Sequence, residues 1–284
     1  MITSRALATS NGIPMMGFGV YALDGDTTRE AVGLALEAGY RHFDTAQSYK
    51  NEADCGIAIA RSGLPREEIF ITTKVTPRNY AVGKMLGSVY ESLDRLRVDC
   101  IDLLLIHYPS PWDQIPMEVY LEQLLAVQQA GLASLIGVSN FTIAQVDRAL
   151  KLLGRDNLAT NQVEIHVFMQ NRKIVDHCRT VGVPTTAYCA LARGALLGAP
   201  EAQLGPHPIL QEIADAHDAT VAQIGLSFLM HEGHVVLSSA TQKDQIESNF
   251  AATNVRLTQE EFMRLRSLDM NKRIVEWPYF PIFD

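Results

Sequence analysis

The sequence has few cysteines and no excess of positive charge. Its four cysteines among 284 residues form no CxxC pair, which is typical of free thiols in a reducing cytoplasm. The net charge is -8, whereas nucleic-acid binding needs a basic face and anionic membrane surfaces attract basic segments. We therefore expect a cytoplasmic protein that binds neither nucleic acid nor membranes.

Long apolar runs and metal-ligand spacings are also missing. No apolar run approaches the roughly 20 residues of a membrane span. The amino terminus lacks the apolar core of a signal peptide. The eight histidines show neither HxH nor HExxH spacing, so we expect no metal site.

Short apolar runs alternate with amphipathic segments along the whole chain. The runs predict strands over 15–22, 41–44, 69–74, 101–107, 134–138, 159–164, 184–188 and 235–238. The amphipathic segments predict helices over 28–38, 52–62, 81–97, 117–130, 143–153, 172–181, 209–217, 221–232, 244–252 and 259–268. We expect Thr27 or Thr28 to cap the first helix and Gly39 to end it.

This alternation predicts one α/β domain over 1–284, a (β/α)8 TIM barrel. The Asn11-Gly12 turn signal predicts a β-hairpin over 3–15 that closes the bottom of the barrel. A doubly wound open sheet is the alternative. It is disfavoured because Gly17-Phe18-Gly19 lacks the third glycine of a GxGxxG motif.

Three of the predicted strands end at ionisable side chains. Asp44, Lys74 and His107 close the second, third and fourth strands, and Tyr49 follows Asp44 by five residues. In a βα barrel the loops at the carboxyl ends of the strands carry the chemistry. Each residue alone is as well explained by an ordinary strand-end ion pair or a hydrogen-bonded core histidine. Their joint occurrence favours an active site.

The four side chains together suit proton transfer to a carbonyl oxygen. A tyrosine has a reference pKa of about 10, and a nearby ammonium lowers that pKa by favouring the phenolate. We therefore expect Lys74, held by Asp44, to lower the pKa of Tyr49, and His107 to orient the substrate oxygen. Tyr49 would then be a general acid, as hydride transfer to a carbonyl requires.

Motifs in five segments give the chain a clear resemblance to a known family. The segments are 44–49 with Asn51 and Glu52, then 72–74, 104–109, 137–141 and 161–164. In this order they resemble the aldo-keto reductase superfamily, and within it the bacterial 2,5-diketo-D-gluconate and methylglyoxal reductases. The resemblance covers nearly the whole chain and implies the barrel fold and the catalytic roles given above.

The resemblance also implies contacts with a nicotinamide cofactor. Ser139, Asn140 and Gln162 would bind the nicotinamide carboxamide, and Tyr188 would stack on the ring. Further contacts would be Leu191, Arg193 and Gly194 with the pyrophosphate and Asn249 with the adenine. For Tyr188 the alternative is packing at the barrel rim, and for Arg193 simple solvation.

The chain departs from the family at the site of the cofactor 2′-phosphate. Ser239 and Ala240 stand where relatives have Lys-Ser, and Gln245 stands where they have Arg. Lys243 is the nearest basic residue; it is either a substitute contact or a solvated side chain at a helix start. We expect NADPH as the cofactor, with NADH as the alternative.

The expected partner is a small-molecule carbonyl substrate, with small dicarbonyls or sugar-derived ketones favoured by analogy, and the expected state is a monomer. Tyr21, Tyr108 and Trp112, together with His107, would contact the substrate. The aromatic tail would either join them or pack over the barrel top; it comprises Trp277, Tyr279, Phe280 and Phe283. Two other functions stay open: a nucleotide-binding regulatory barrel with slow turnover, and a metal-dependent barrel isomerase.

Overall fold

The computed structural model describes residues 9–197 and 207–276. Eight parallel strands form a closed barrel in chain order, and the last strand pairs with the first. They are β3 Met16–Gly19, β4 His42–Asp44, β5 Phe70–Val75, β6 Ile101–Ile106, β7 Ala133–Ser139, β8 Leu158–Glu164, β9 Thr185–Tyr188 and β10 Val235–Ser238. The predicted (β/α)8 barrel is confirmed, and the doubly wound alternative is wrong because the sheet closes.

In the described part of the chain, ten α-helices surround the strands. They are α1 Gly25–Ala38, α2 Glu52–Arg61, α3 Lys84–Leu96, α4 Met117–Gln129, α5 Ile143–Leu153, α6 Arg172–Val181, α7 Pro208–Ala216, α8 Val221–His231, α9 Lys243–Ala251 and α10 Gln259–Arg266. Their apolar faces pack on the outside of the barrel and form one large buried core. Within 9–197 and 207–276, no helix is both long and apolar enough to cross a membrane.

Two predicted helix starts are wrong. The first helix begins at Gly25 after Asp24, so Thr27 and Thr28 lie inside it and do not cap it. The third helix begins at Lys84 and not at residue 81, because Gly83 adopts a left-handed conformation with φ of 79° immediately before it. The predicted end of the first helix is confirmed, since Gly39 takes the left-handed C-cap conformation.

A short hairpin precedes the barrel. Its strands are β1 Thr9–Ser10 and β2 Ile13–Pro14, joined by Asn11 and Gly12, which both have positive φ as a two-residue hairpin turn requires. Ile13 is fully buried among inward-facing residues of the strands. We call this group the basal cluster; it consists of Ile13, Leu103, Leu105, Ala159 and Val235. The predicted hairpin is confirmed for residues 9–14, and residues 3–8 lie outside the described part.

Candidate active site

The four predicted catalytic side chains meet at the carboxyl end of the barrel. Asp44 ends β4, Lys74 lies in β5, His107 follows β6, and Tyr49 ends the 3-10 turn Gln47–Tyr49. The Lys74 ammonium is almost fully buried and donates to Asp44 Oδ1, to the Thr45 carbonyl oxygen at 3.0 Å and to Tyr49 Oη at 3.4 Å. The parallel strands therefore bring together residues that lie up to 63 positions apart, from Asp44 to His107.

The expected lowering of the Tyr49 pKa is wrong for this structure. Burial raises the pKa of Tyr49 well above its usual value, and the nearby Asp44 carboxylate and Tyr21 raise it further. The positive charge of Lys74 is compensated by its contact with Asp44, so it does not favour the phenolate enough to offset desolvation. Tyr49 therefore holds its proton at neutral pH.

The imidazole of His107 lies beside the Tyr49 ring and is uncharged. The ring centroids of Tyr49 and His107 are 5.5 Å apart, and the His107 ring stacks on Tyr108 at 4.1 Å. Burial lowers the pKa of His107 well below its usual value, and the Lys74 ammonium lowers it further. His107 Nδ1 lies 3.3 Å from the hydroxyl oxygen of Ser48, within hydrogen-bond distance. Ser48 was not predicted as a site residue, although its place directly before Tyr49 was a signal.

Hydrogen bonds of Gln162 and Ser139 connect the catalytic residues to β8 and β7. Gln162 Nε2 donates to Asp44 Oδ2 at 2.9 Å, and the main-chain carbonyl oxygen of Gln162 accepts from Ser139 Oγ at 2.7 Å. Both side chains are buried. The carboxylate of Asp44 thus contacts Lys74 with one oxygen and Gln162 with the other, which fixes its orientation.

Asn140 extends this hydrogen-bonded group toward Tyr188. It has a left-handed φ of 62° directly after β7, and its Nδ2 donates to the His107 carbonyl oxygen and to Ser139 Oγ, each at 3.0 Å. Its Oδ1 accepts from the Tyr188 hydroxyl at 2.8 Å. This contact leaves the Tyr188 ring as a wall of the site, in keeping with a role in stacking.

These residues surround a cavity of about 370 Å³. Most of the predicted site residues line it: Tyr21, Asp44, Tyr49, His107, Tyr108, Ser139, Asn140, Gln162, Tyr188, Leu191, Arg193, Gly194 and Ser239. Seven lining residues were not predicted: Gly19, Cys189, Ala190, Leu197, Leu237, Ser238 and Val275. Five of these seven lie within two positions of a predicted residue, and that proximity was the available signal.

Three predicted contact residues do not line the cavity. Trp112 is 70% exposed on the loop after β6, and Asn249 is buried in α9. Lys243 lies at the start of α9, where Nζ is 3.8 Å from Glu37 Oε2 and 3.7 Å from Glu247 Oε1. The aromatic tail, with Trp277, Tyr279, Phe280 and Phe283, lies outside the described residues.

The loop after β9 has an unusual backbone. Cys189, Ala192 and Arg193 have left-handed φ angles of 57°, 52° and 51°, and Gly194 follows with 84°. The loop turns sharply beside the cavity, and the exposed side chain of Arg193 places a positive charge there.

Carboxylate, histidine and cysteine side chains are the usual protein ligands of metal ions. In the part of the chain that the structure describes, no group of three or more such side chains could hold a metal ion. The amide, hydroxyl and aromatic groups around the cavity instead match the donors and flat surfaces that a nicotinamide would need.

Comparisons with known proteins agree with this geometry. The model of the Aldo/keto reductase family matches residues 15–270. Methylglyoxal reductase DkgB from Escherichia coli O157:H7 is 42% identical over 263 residues, which cover 93% of this chain and 96% of that protein. The resemblance stated from the motifs is confirmed.

Solved structures show the same similarity. The crystal structure of a provisionally assigned 2,5-diketo-D-gluconic acid reductase B has a TM-score of 0.90 and 37% identity, covering 99% of this chain and 97% of that one. The aldose reductase from Schistosoma japonicum has a TM-score of 0.86 and 30% identity, covering 95% of each chain.

Proposed function

The chain belongs to the aldo/keto reductase family, and from this premise we propose that it reduces small carbonyl compounds with Tyr49 as the proton donor. One observation carries the proposal. The Tyr49 hydroxyl lies 3.4 Å from the Lys74 ammonium, beside the neutral His107 imidazole, at a cavity that admits a small molecule.

The residues around the cavity support binding of a nicotinamide cofactor, which the family uses. Ser139, Asn140 and Gln162 present amide and hydroxyl groups for the carboxamide, and the Tyr188 ring offers a face for stacking. The loop that holds Leu191, Arg193 and Gly194 would contact the phosphates. When bound, the cofactor supplies the hydride.

The protein's own residues would supply the proton and hold the carbonyl. The low pKa of His107 keeps its imidazole uncharged. A neutral imidazole still carries one N–H group, which would donate a hydrogen bond to the carbonyl oxygen. Tyr49 would transfer its proton to that oxygen, and the developing phenolate would be stabilised by the Lys74 ammonium at 3.4 Å. Asp44 and the Thr45 carbonyl oxygen hold the ammonium in place.

The substitution Tyr49→Phe tests this assignment. We expect kcat/KM for carbonyl reduction to fall by about 10³, because a general acid contributes about 10² to 10⁴. Cofactor binding, followed by quenching of intrinsic fluorescence, should be retained. Tyr90→Phe is the control, since Tyr90 is an exposed tyrosine on α3, and it should keep full activity. Full activity of Tyr49→Phe would refute the role of Tyr49.

For the substrate we propose small dicarbonyls or sugar-derived ketones. The names of the similar proteins, methylglyoxal reductase and 2,5-diketo-D-gluconic acid reductase, support this class. A panel of aldehydes, dicarbonyls and keto sugars, with consumption of NADPH as the readout, would rank the substrates. Slow turnover on every carbonyl would instead favour a regulatory nucleotide-binding protein.

We propose NADPH as the preferred cofactor and Lys243 as a contact of its 2′-phosphate. The ion pairs of Lys243 with Glu37 and Glu247 are long and exposed, so releasing the lysine for a phosphate would cost little. Binding of NADPH and NADH should be titrated by fluorescence quenching in wild type, Lys243→Ala and the exposed control Lys151→Ala. Only Lys243→Ala should weaken NADPH selectively, and tighter binding of NADH by the wild type would overturn the preference.

A further inference from the structure

We propose that Glu164 is a positioning residue that fixes the carboxyl-terminal segment 273–276 as a wall of the substrate pocket. This role rests on the proposed carbonyl reductase function. Glu164 is the last residue of β8, two positions after Gln162, and it pairs across the sheet with Tyr188. It therefore stands on the rigid barrel at the edge of the site.

The Glu164 carboxylate binds the segment through two main-chain groups. Oε1 accepts from the Ile274 N–H at 2.7 Å, and Oε2 accepts from the Val275 N–H at 3.0 Å. These bonds join residues 110 and 111 positions apart. The side chain is only 1% exposed, so the bonds are shielded from competing water.

The same carboxylate is held in its ionised form. His166 Nε2 lies 3.0 Å from Oε1. Although burial favours the neutral acid, the His166 contact and the two main-chain N–H groups hold the pKa of Glu164 below its usual value. Both oxygens thus remain acceptors, which a glutamine at this position could not provide.

The residues just before segment 273–276 are attached to the loop after β8. The Phe168 carbonyl oxygen accepts from the N–H groups of Met270 and Lys272, at 3.0 and 3.1 Å. Gln170 donates to the Leu265 carbonyl oxygen at 3.0 Å. These contacts hold residues 265–272, and Glu164 extends the attachment to Ile274 and Val275.

Val275 connects this anchor to the site. Its side chain is 7% exposed and lines the cavity that also holds Tyr49 and Tyr188. Two hydrogen bonds at adjacent residues fix both the position and the rotation of the backbone there, so they set where the Val275 side chain enters the cavity. Loss of the carboxylate should loosen this wall without touching Tyr49, Lys74 or His107.

The variant Glu164→Gln tests the role, with Glu261→Gln as a matched control. Glu261 also accepts from a main-chain N–H, that of Thr258 at 2.8 Å, and from a histidine, His217 at 3.0 Å, but none of the three lines the cavity. Two readouts are needed: the rate of tryptic cleavage after Lys272 and Arg273 in the native protein, mapped by mass spectrometry, and steady-state kinetics with a carbonyl substrate.

We expect Glu164→Gln to be cleaved at least about fivefold faster at these two sites. Its KM for the carbonyl should rise about tenfold, with kcat changed less than about threefold, the pattern of lost binding that is shared by ground state and transition state. Glu261→Gln should match the wild type in both readouts. If Glu164→Gln has the same cleavage rate and the same KM as the wild type, the proposal is overturned. A fall in kcat at unchanged KM would overturn it as well.

Cleavage does not depend on turnover, so it tests the anchor even if the wild type reduces no carbonyl, an outcome that would refute the proposed function instead. If Glu164→Gln does not fold, Val275→Ala takes its place in the kinetic test. Removal of two methyl groups from the wall should raise KM in the same direction, and an unchanged KM would overturn the role of the segment.

Discussion

The two ends of the barrel are built from different chemistry. At the amino end, the basal cluster around Ile13 is apolar, and the two buried histidines there are hydrogen-bonded to neutral groups, His42 to Thr72 and His234 to Thr185. At the carboxyl end, Lys74 and Asp44 form a buried ion pair next to a cavity. Backbone strain also concentrates there, as at Asn140 and Arg193.

This contrast indicates that stability and reactivity depend on opposite ends of the same barrel. Burial of apolar side chains stabilises the fold at the amino end, at about 25 cal/mol per Å². A buried ion pair contributes little net stability, because desolvation of two charges offsets their attraction. The charges at the carboxyl end are therefore better explained by reactivity than by stability.

After Tyr49→Phe, the largest loss of activity is expected from removing the buried ion pair as a unit. In Asp44→Asn/Lys74→Met, kcat/KM should fall by at least about 10², because the Tyr49 phenolate loses its stabilising charge. The free energy of unfolding in urea should stay unchanged or rise by about 1–4 kcal/mol, as for other buried ion pairs replaced together. Retained activity, or a strong loss of stability, would contradict the conclusion that the ion pair serves reactivity and not stability.

At the opposite end, Ile13→Ala should affect only stability. Ile13 is fully buried in the basal cluster, so its truncation leaves a cavity and should lower the free energy of unfolding by about 2–5 kcal/mol. We expect kcat/KM to remain within about twofold of the wild type. Val82→Ala is the control, since Val82 is 82% exposed and should change neither quantity. A large loss of activity in Ile13→Ala would show that the ends are coupled.

Acidification should also lower stability through the buried histidines at the amino end. Burial lowers the pKa of His234 to about 4, and it lowers the pKa of His42 as well. The unfolded chain binds these protons near pH 6.5, so the stability that the neutral histidines contribute is complete above that pH and is lost as the pH falls toward 4. For His234 alone, the free energy of unfolding should drop by about 2 kcal/mol between pH 7 and pH 5.

Urea midpoints across this pH range measure the effect, and His234→Asn supplies the comparison. This variant should have a flatter dependence on pH than the wild type below pH 6.5, even if its overall stability is lower. Equal slopes for the two proteins would show that His234 is not the buried group that titrates.

The smallest effect is expected at Ser48, at the carboxyl end. Its hydroxyl lies 3.3 Å from His107 Nδ1 and helps to orient the imidazole, so Ser48→Ala should lower kcat/KM about three- to tenfold, the worth of a single hydrogen bond. Ser48→Thr keeps the hydroxyl and should retain most of the activity. No difference between the Ala and Thr variants would argue that water fills this position equally well.

The sequence predicted the elements that local patterns control. Each barrel strand was visible as a short apolar run, and the Asn11-Gly12 hairpin turn was visible from its residue types alone. The meeting of Asp44, Lys74 and His107 was also predictable, because successive parallel strands end at the same edge. Helix starts were less predictable, since Gly83 shortens the third helix through its backbone conformation.

Contacts between distant segments were not predictable from local patterns. The hydrogen bond between Glu164 and Val275 spans 111 positions, and no periodicity in either segment indicates it. Trp112 illustrates the opposite error: it follows the fourth predicted strand closely, yet the loop directs it outward, where it is 70% exposed. Proximity in sequence to a strand end predicts proximity to the site only within the first few residues.

The sequence by itself determined the barrel, the family and the set of four side chains at the strand ends, because residue types and spacing carry that information. Tertiary structure alone decided the direction in which the pKa of Tyr49 departs from its usual value. Residue types predicted a lowered pKa from the neighbouring lysine, whereas burial raises it, since desolvation depends on how the whole barrel packs around the hydroxyl group.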